Sequence, residues 1–108
     1  MTVGSLCEVC GFKALCMPQP EREINGAYMG DLLSWVMGRA KADNAWITIM
    51  SNINIVAVAS LADVACIILA EGVELDSAVR ETANAKGVNI LTADMPAYET
   101  AMLLGSKL

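Results

Sequence analysis

The chain has 108 residues, 56% hydrophobic and 18% charged, which is the size of a single domain and too apolar for a disordered segment. Twelve acidic against seven basic residues give a net charge of −5, the wrong sign for the basic face that nucleic acid requires. Histidine is absent, which removes Ser-His-Asp and Cys-His nucleophilic systems, His-ligated zinc and histidine acid–base chemistry together.

Residues 1–5 carry no basic side chain and Glu8 follows soon after, so no secretory signal is expected. Cys7, Cys10, Cys16 and Cys66 are then expected as reduced thiols in a cytoplasmic protein. A short N-terminal helix precedes an apolar strand over residues 12–17, closed by Pro18 and Pro20. Residues 24–29 form a second extended segment, with Gly26 free to bend or to admit a close neighbour. From Asp31 the period turns helical: Leu32, Leu33, Val36, Met37 and Ala40 share one face, and Asp31 stands at the helix N-terminus. Trp35 lies off that stripe.

Residues 46–50 read as a buried strand, and Ser51-Asn52 as the N-cap of a helix carrying Ile53, Val56, Ala57 and Leu61. The apolar run 53–70 is long enough to raise a membrane question. Asn54, Ser60 and Asp63 interrupt it where lipid would make them costly, so a helix and then a strand over 65–69 is expected, without a membrane span. Glu71-Gly72 ends that strand. Asp76 caps a helix running through Val79 and Ala83 to Gly87, residues 88–91 form a short strand, and Asp94-Met95-Pro96 opens the last helix. There Tyr98, Ala101 and Met102 form a stripe read as core. Strands that are continuously apolar and alternate with helices predict an α/β fold. Residues 1–108 are expected as a single compact domain, with a mainly parallel sheet flanked by helices.

Two groups of side chains are candidate sites. Four thiolates suffice for zinc or an iron-sulfur cluster, and Cys7, Cys10 and Cys16 are the candidate ligands. The competing reading makes Cys7 and Cys10 the inward face of the first helix and Cys16 and Cys66 small buried hydrophobes. The second group is the set of strand ends where parallel sheets hold ligands: Thr48, Ser51, Asn52 and Asn54 at one, Glu71 and Gly72 at another, Thr92 and Asp94 at a third. Helix caps at Ser51, Asn52 and Asp94 explain the same residues without a ligand. No GxxxxGK[ST] loop is present to cradle phosphates, which speaks against a kinase.

Four segments occur in a telling order: Glu21-Arg22-Glu23-Ile24-Asn25-Gly26-Ala27-Tyr28, Gly30-Asp31-Leu32-Leu33-Ser34, Trp46-Ile47-Thr48-Ile49 and Asn54-Ile55-Val56-Ala57-Val58-Ala59-Ser60. This string resembles the DRTGG domain family over nearly the whole chain. Arg22 and Gly26 match the signature Asp-Arg-x-x-Thr-Gly-Gly, while Glu21, Asn25 and Ala27 depart from it. Met50-Ser51-Asn52 stands where members tend to carry Gln-Thr-His. The resemblance adds Arg22, Gly26, Asp31 and Ser34 to the ligand or interface candidates. It implies a domain without chemistry of its own that contributes to dimers, found alone, between nucleotide-sensing modules of pyrophosphatases, or beside acyl-transfer enzymes. Some members are labelled serine kinases through the non-catalytic part of HPr kinase, and others are named after iron-sulfur hydrogenases. The expectation is a non-catalytic regulatory or interaction domain, homodimeric, without a cofactor, sensing a small ligand and serving a metabolic enzyme. The alternative is an accessory protein of an iron-sulfur hydrogenase or related redox enzyme, binding metal through its cysteines. So apolar a chain of this size also has difficulty hiding its hydrophobic surface within one protomer.

Overall fold

Five short strands pair into one sheet, in the order β1-β5-β4-β3-β2, in the computed structural model, which describes residues 1–108. They are β1 (Lys13–Cys16), β2 (Ala27–Met29), β3 (Ala45–Thr48), β4 (Cys66–Leu69) and β5 (Ile90–Thr92). The central β3 and β4 are buried at every position, which is why their sequences are unbroken apolar runs rather than alternating ones. β2 through β5 pair in parallel, while β1 joins β5 antiparallel at one edge.

Three helices, α2 (Leu33–Arg39), α3 (Asn54–Ala62) and α4 (Ser77–Lys86), are the crossovers between successive parallel strands. All three lie on one face, as right-handed crossovers stepping in one direction require. Their Val36, Ile55, Val56, Val79 and Ala83 close a core against Trp46, Ile67, Leu69 and Ile90. The first helix α1 (Val3–Cys10) and the last, α5 (Ala97–Lys107), cover the other face. There Val3, Leu6, Cys7, Cys10 and Leu104 meet Ile47, Cys66, Ile68 and Leu91. The result is the α/β domain expected, with a mainly parallel sheet between two helical layers.

Consecutive strands β1 and β2 stand at opposite edges of this sheet. The chain joining them, residues 17–26, therefore passes beneath the starts of β5, β4 and β3. Four inter-strand steps amount to roughly 19 Å, within reach of a ten-residue extended segment. It is tied down as it goes. Beside β5, Asn89 accepts from Gln19 N–H at 2.9 Å and donates to Gln19 O at 2.7 Å and to Ala65 O at 3.1 Å. Before β3, Asn25 N–H donates to Asp43 O, and the Asn44 amide donates to Asn25 O at 2.7 Å. The start of the chain pairs with this strap too, through a Thr2–Glu23 bridge and a bond from Val3 N–H to Arg22 O.

Several local expectations change. Asp31 is not the cap of α2, which begins at Leu33 with Leu32 in the cap position. The Asp31 carboxylate turns instead to the end of β3. Leu32 and Met37, placed by periodicity on the buried face, are exposed, and Val36 alone of that stripe is fully buried. A seven-residue helix at the sheet margin has too little neighbouring surface to cover a full stripe. Ile53 occupies the α3 cap position without a side-chain bond, although Asn52 Oδ1 does accept from Asn54 N–H at 2.9 Å. Asp76 caps α4 by position only. Helix α5 starts after Pro96, past Asp94, and buries Thr100 and Leu104, while Tyr98 is 71% exposed and Met102 also faces outward. Gly87 ends α4 as expected at φ +73°. No helix is long and apolar enough to cross a membrane.

Asn89 is buried and fully bonded, so Asn89→Ala should strand the Gln19 and Ala65 backbone groups. The expected cost is about 2–3 kcal/mol, read as a lower urea midpoint with an unchanged slope.

Candidate functional site

The candidate residues fall on two opposite edges of the sheet. Arg22 and Gly26 lie at the amino-terminal edge, where the strap runs. Thr48, Ser51, Asn52, Asn54 and Asp94 lie at the carboxyl-terminal edge with Asp31, and exposed Ser34 occupies the first turn of α2.

At the amino-terminal edge Arg22 is mostly buried. Its Nη2 donates to Asp43 Oδ1 at 3.0 Å, to Asp63 Oδ1 at 2.8 Å and to Asp63 O at 2.6 Å. Burial works against the guanidinium charge, but the bonds to Asp63 and Asp43 outweigh it, so its pKa is raised. Asp43 and Asp63 both sit at positive φ, 67° and 58°, in the turns that lead into β3 and β4. Aspartate tolerates that conformation better than most residues, and there the turns present both carboxylates to one cation. Gly26 is at φ +80°, and a Cβ on it would lie 3.2 Å from Asn44 Nδ2. Beside it an open cavity of about 490 Å³ is lined by Asn25, Tyr28, Arg39, Lys41 and Asn44 among others.

At the carboxyl-terminal edge the polar groups largely satisfy one another. Thr48 Oγ1 donates to Asp31 Oδ1 at 2.7 Å, Ile49 N–H donates to the same oxygen at 3.1 Å, and Met50 N–H donates to Thr48 Oγ1. Thr92 Oγ1 donates to Val73 O at 2.7 Å. Thr92 and Asp94 line a polar cavity of about 300 Å³ with Lys13 and Glu74, whereas Asn54 lines a different one between α3 and α4. These strand ends share an edge but not one cavity. Asn52 acts as a local cap for Asn54 N–H.

The four cysteines are free and buried. Cys7 and Cys10 face the α1/α5 side of the sheet and Cys16 faces the other, so the sheet separates the proposed ligands. No three His, Cys, Asp or Glu side chains are grouped to hold a metal ion. Cys7, Cys10 and Cys16 therefore do not converge on one point within the chain. Burial raises all four thiol pKa values, assisted at Cys7 by Glu8 and Cys10, and pushes that of Cys66 up to about 12. Thiols held neutral in this way are poor nucleophiles and poor ligands.

Sequence reasoning missed Asn89, Asp43, Asp63, Arg39 and Lys41. Asp63 carried a usable signal, as a residue of αL preference ending an apolar helix just before an apolar strand. Asn89 and Asp43 act through contacts distant in sequence, to Gln19 and to Arg22.

The model of the DRTGG domain matches residues 24–106. The chain belongs to the DRTGG domain family. Arg22 falls just ahead of the matched span, and Gly26 within it. Among solved structures, the CBS and DRTGG domains of the regulatory region of Clostridium perfringens pyrophosphatase, complexed with the activator diadenosine tetraphosphate, superpose with a TM-score of 0.71. Sequence identity is 13% over 95% of this chain, which spans 45% of the length of that one. A search of curated proteins finds no match.

Two outcomes follow from this geometry. Arg22→Ala should cost about 1–2 kcal/mol, since it frees the strap while its carboxylate partners remain partly solvated. Arg22→Lys should restore only part, because one ammonium cannot reproduce the forked contacts; urea denaturation reads both. The Cys66 thiol is neutral in folded and unfolded chains below its ordinary pKa of 9.0. Above that pH the unfolded chain ionises, while the folded one does not until about 12. Its contribution is thus intact below about pH 9 and is lost as pH rises, by about 1.4 kcal/mol per unit. Cys66→Ala should lose less stability than the parent between pH 8 and about pH 10, compared by thermal melts.

Proposed function

We propose that this chain is a non-catalytic regulatory and interaction domain that acts as a cytoplasmic homodimer, responds to a small ligand and serves a metabolic enzyme. The observation that carries this reading is an apolar surface at one corner of the sheet. Met29, Leu32, Trp35, Ile49 and Ile53 are all exposed there, Leu32 at 58% and Trp35 at 53%. Asp31 draws the segments together by accepting from Ile49 N–H. Leu32, Trp35 and Arg39 recur at helical spacing on the outward side of α2, and the Arg39 guanidinium lies 3.8 Å from the Trp35 ring centroid. An aromatic ring braced by arginine is a composition common where binding energy concentrates. Several large apolar side chains exposed on so small a domain call for a partner.

Family membership supports the regulatory reading, and the pyrophosphatase region with which the fold superposes is itself regulatory and complexed with a nucleotide activator. The isologous use of one patch by two copies is the commonest way for a small domain to cover such a surface.

Light scattering after gel filtration tests the assembly. The parent chain should show twice its monomer mass, and Leu32→Glu the monomer mass with an unchanged far-UV spectrum. A monomeric parent at every concentration overturns the dimer.

A further inference from the structure

We propose that the cavity beside β2 and the end of α2 binds a phosphate monoester carried on a body of about nucleoside size. This deepens the ligand-sensing part of the reading above by giving it a site and a chemical class. The cavity, about 490 Å³, has Asn25, Gly26, Tyr28, Arg39, Lys41 and Asn44 on its walls and no carboxylate. That is unusual in a chain of net charge −5. Lys13 and Arg80 pair with Glu74, and Arg22 pairs with Asp43 and Asp63. Arg39 and Lys41 pair with no carboxylate, and both open onto this one cavity.

The strap explains why the charge stays uncompensated. Asp43 is the carboxylate nearest in sequence to Lys41, and its Oδ1 is taken by Arg22 at 3.0 Å. Asn44 is held in place by Lys41 N–H donating to its Oδ1 at 2.9 Å and by its own bond to Asn25 O. Asn25 is exposed and its side chain makes no bond within the protein. Gly26 matters because any Cβ there would press on the Asn44 amide. Two cations with free donors suit a doubly charged phosphate. The half-buried Tyr28 and the exposed Ala27 supply an apolar wall for an organic body, and the volume falls within the range of small-molecule sites. Arg39 also stacks on Trp35, so a ligand held here would touch the interaction surface through one side chain.

The test is an NMR titration of the 15N-labelled full chain with adenosine 5′-monophosphate, beside adenosine and inorganic phosphate. The monophosphate should shift the amides of Asn25, Gly26, Lys41 and Asn44, adenosine should not, and Lys41→Gln should weaken binding about tenfold. Tighter binding of the monophosphate than of inorganic phosphate assigns the organic body, whereas equal affinity overturns that part and leaves a site for free phosphate. Unmoved cavity amides, or affinity indifferent to Lys41→Gln, overturn the site. Shifts confined to Gly72, Thr92 and Asp94 would move the ligand to the opposite edge, so this site would fail while ligand sensing stood.

Discussion

The structure depends on a strap held by one arginine. Because β1 and β2 occupy opposite edges, the sheet exists only if the chain between them stays flat against the starts of three other strands. Arg22 secures the middle of that path through carboxylates contributed by two separate turns, with Asn89 securing one end and Asn44 the other. Each clamp is a buried or half-buried polar group with its partners present, and no buried side-chain polar atom lacks one. The energetic weight of such groups lies in what their loss would leave unsatisfied. The antiparallel β1 is a consequence of the same path: with α1 ahead of it and the strap behind, it enters from the carboxyl-terminal edge and leaves at the amino-terminal one.

This arrangement divides labour between the two ends of the sheet. Parallel α/β folds usually hold ligands beyond the carboxyl ends of their strands, but here Thr48, Asp31 Oδ1 and Thr92 are already bonded to neighbouring backbone and to each other. Two unpaired cations, Arg39 and Lys41, stand at the other end, where pairing of the nearby carboxylates to Arg22 leaves an open positive pocket. Arg39 connects that pocket to the apolar surface around Trp35. The last turn of one short helix supplies that adjacency.

Much of the architecture was legible in the sequence. The unbroken apolar runs of β3 and β4, the glycine ending α4 and the alternation of strand and helix led directly to a parallel sheet with two covered faces. Periodicity failed on α2 and α5, where Leu32, Met37, Tyr98 and Met102 follow helical spacing but face outward. A hydrophobic stripe says that a face is apolar, not whether the protein's own chain covers it. The carboxyl-edge polar residues were placed on the correct edge, yet sequence cannot show that Asp31 spends its carboxylate on Thr48 and Ile49 N–H. The spacing of Cys7, Cys10 and Cys16 carries no sign that the sheet lies between Cys16 and the other two. Arg22 was found through family resemblance, but its partners, 21 and 41 residues away, carry no local mark of the pairing.

The strap also sets an order of events during synthesis. Residues 17–26 leave the ribosome early, yet the asparagine that anchors Gln19 lies 70 residues further on. Until then the strap can be held only at Asp43, Asn44 and Asp63, and β1 has no partner, because β5 is the last strand made. The parallel β2-β3-β4 unit can assemble in chain order, while closure around its base must await nearly complete translation. Contacts of such long sequence separation are slow to form. A domain this small therefore finishes folding as a whole rather than from its beginning.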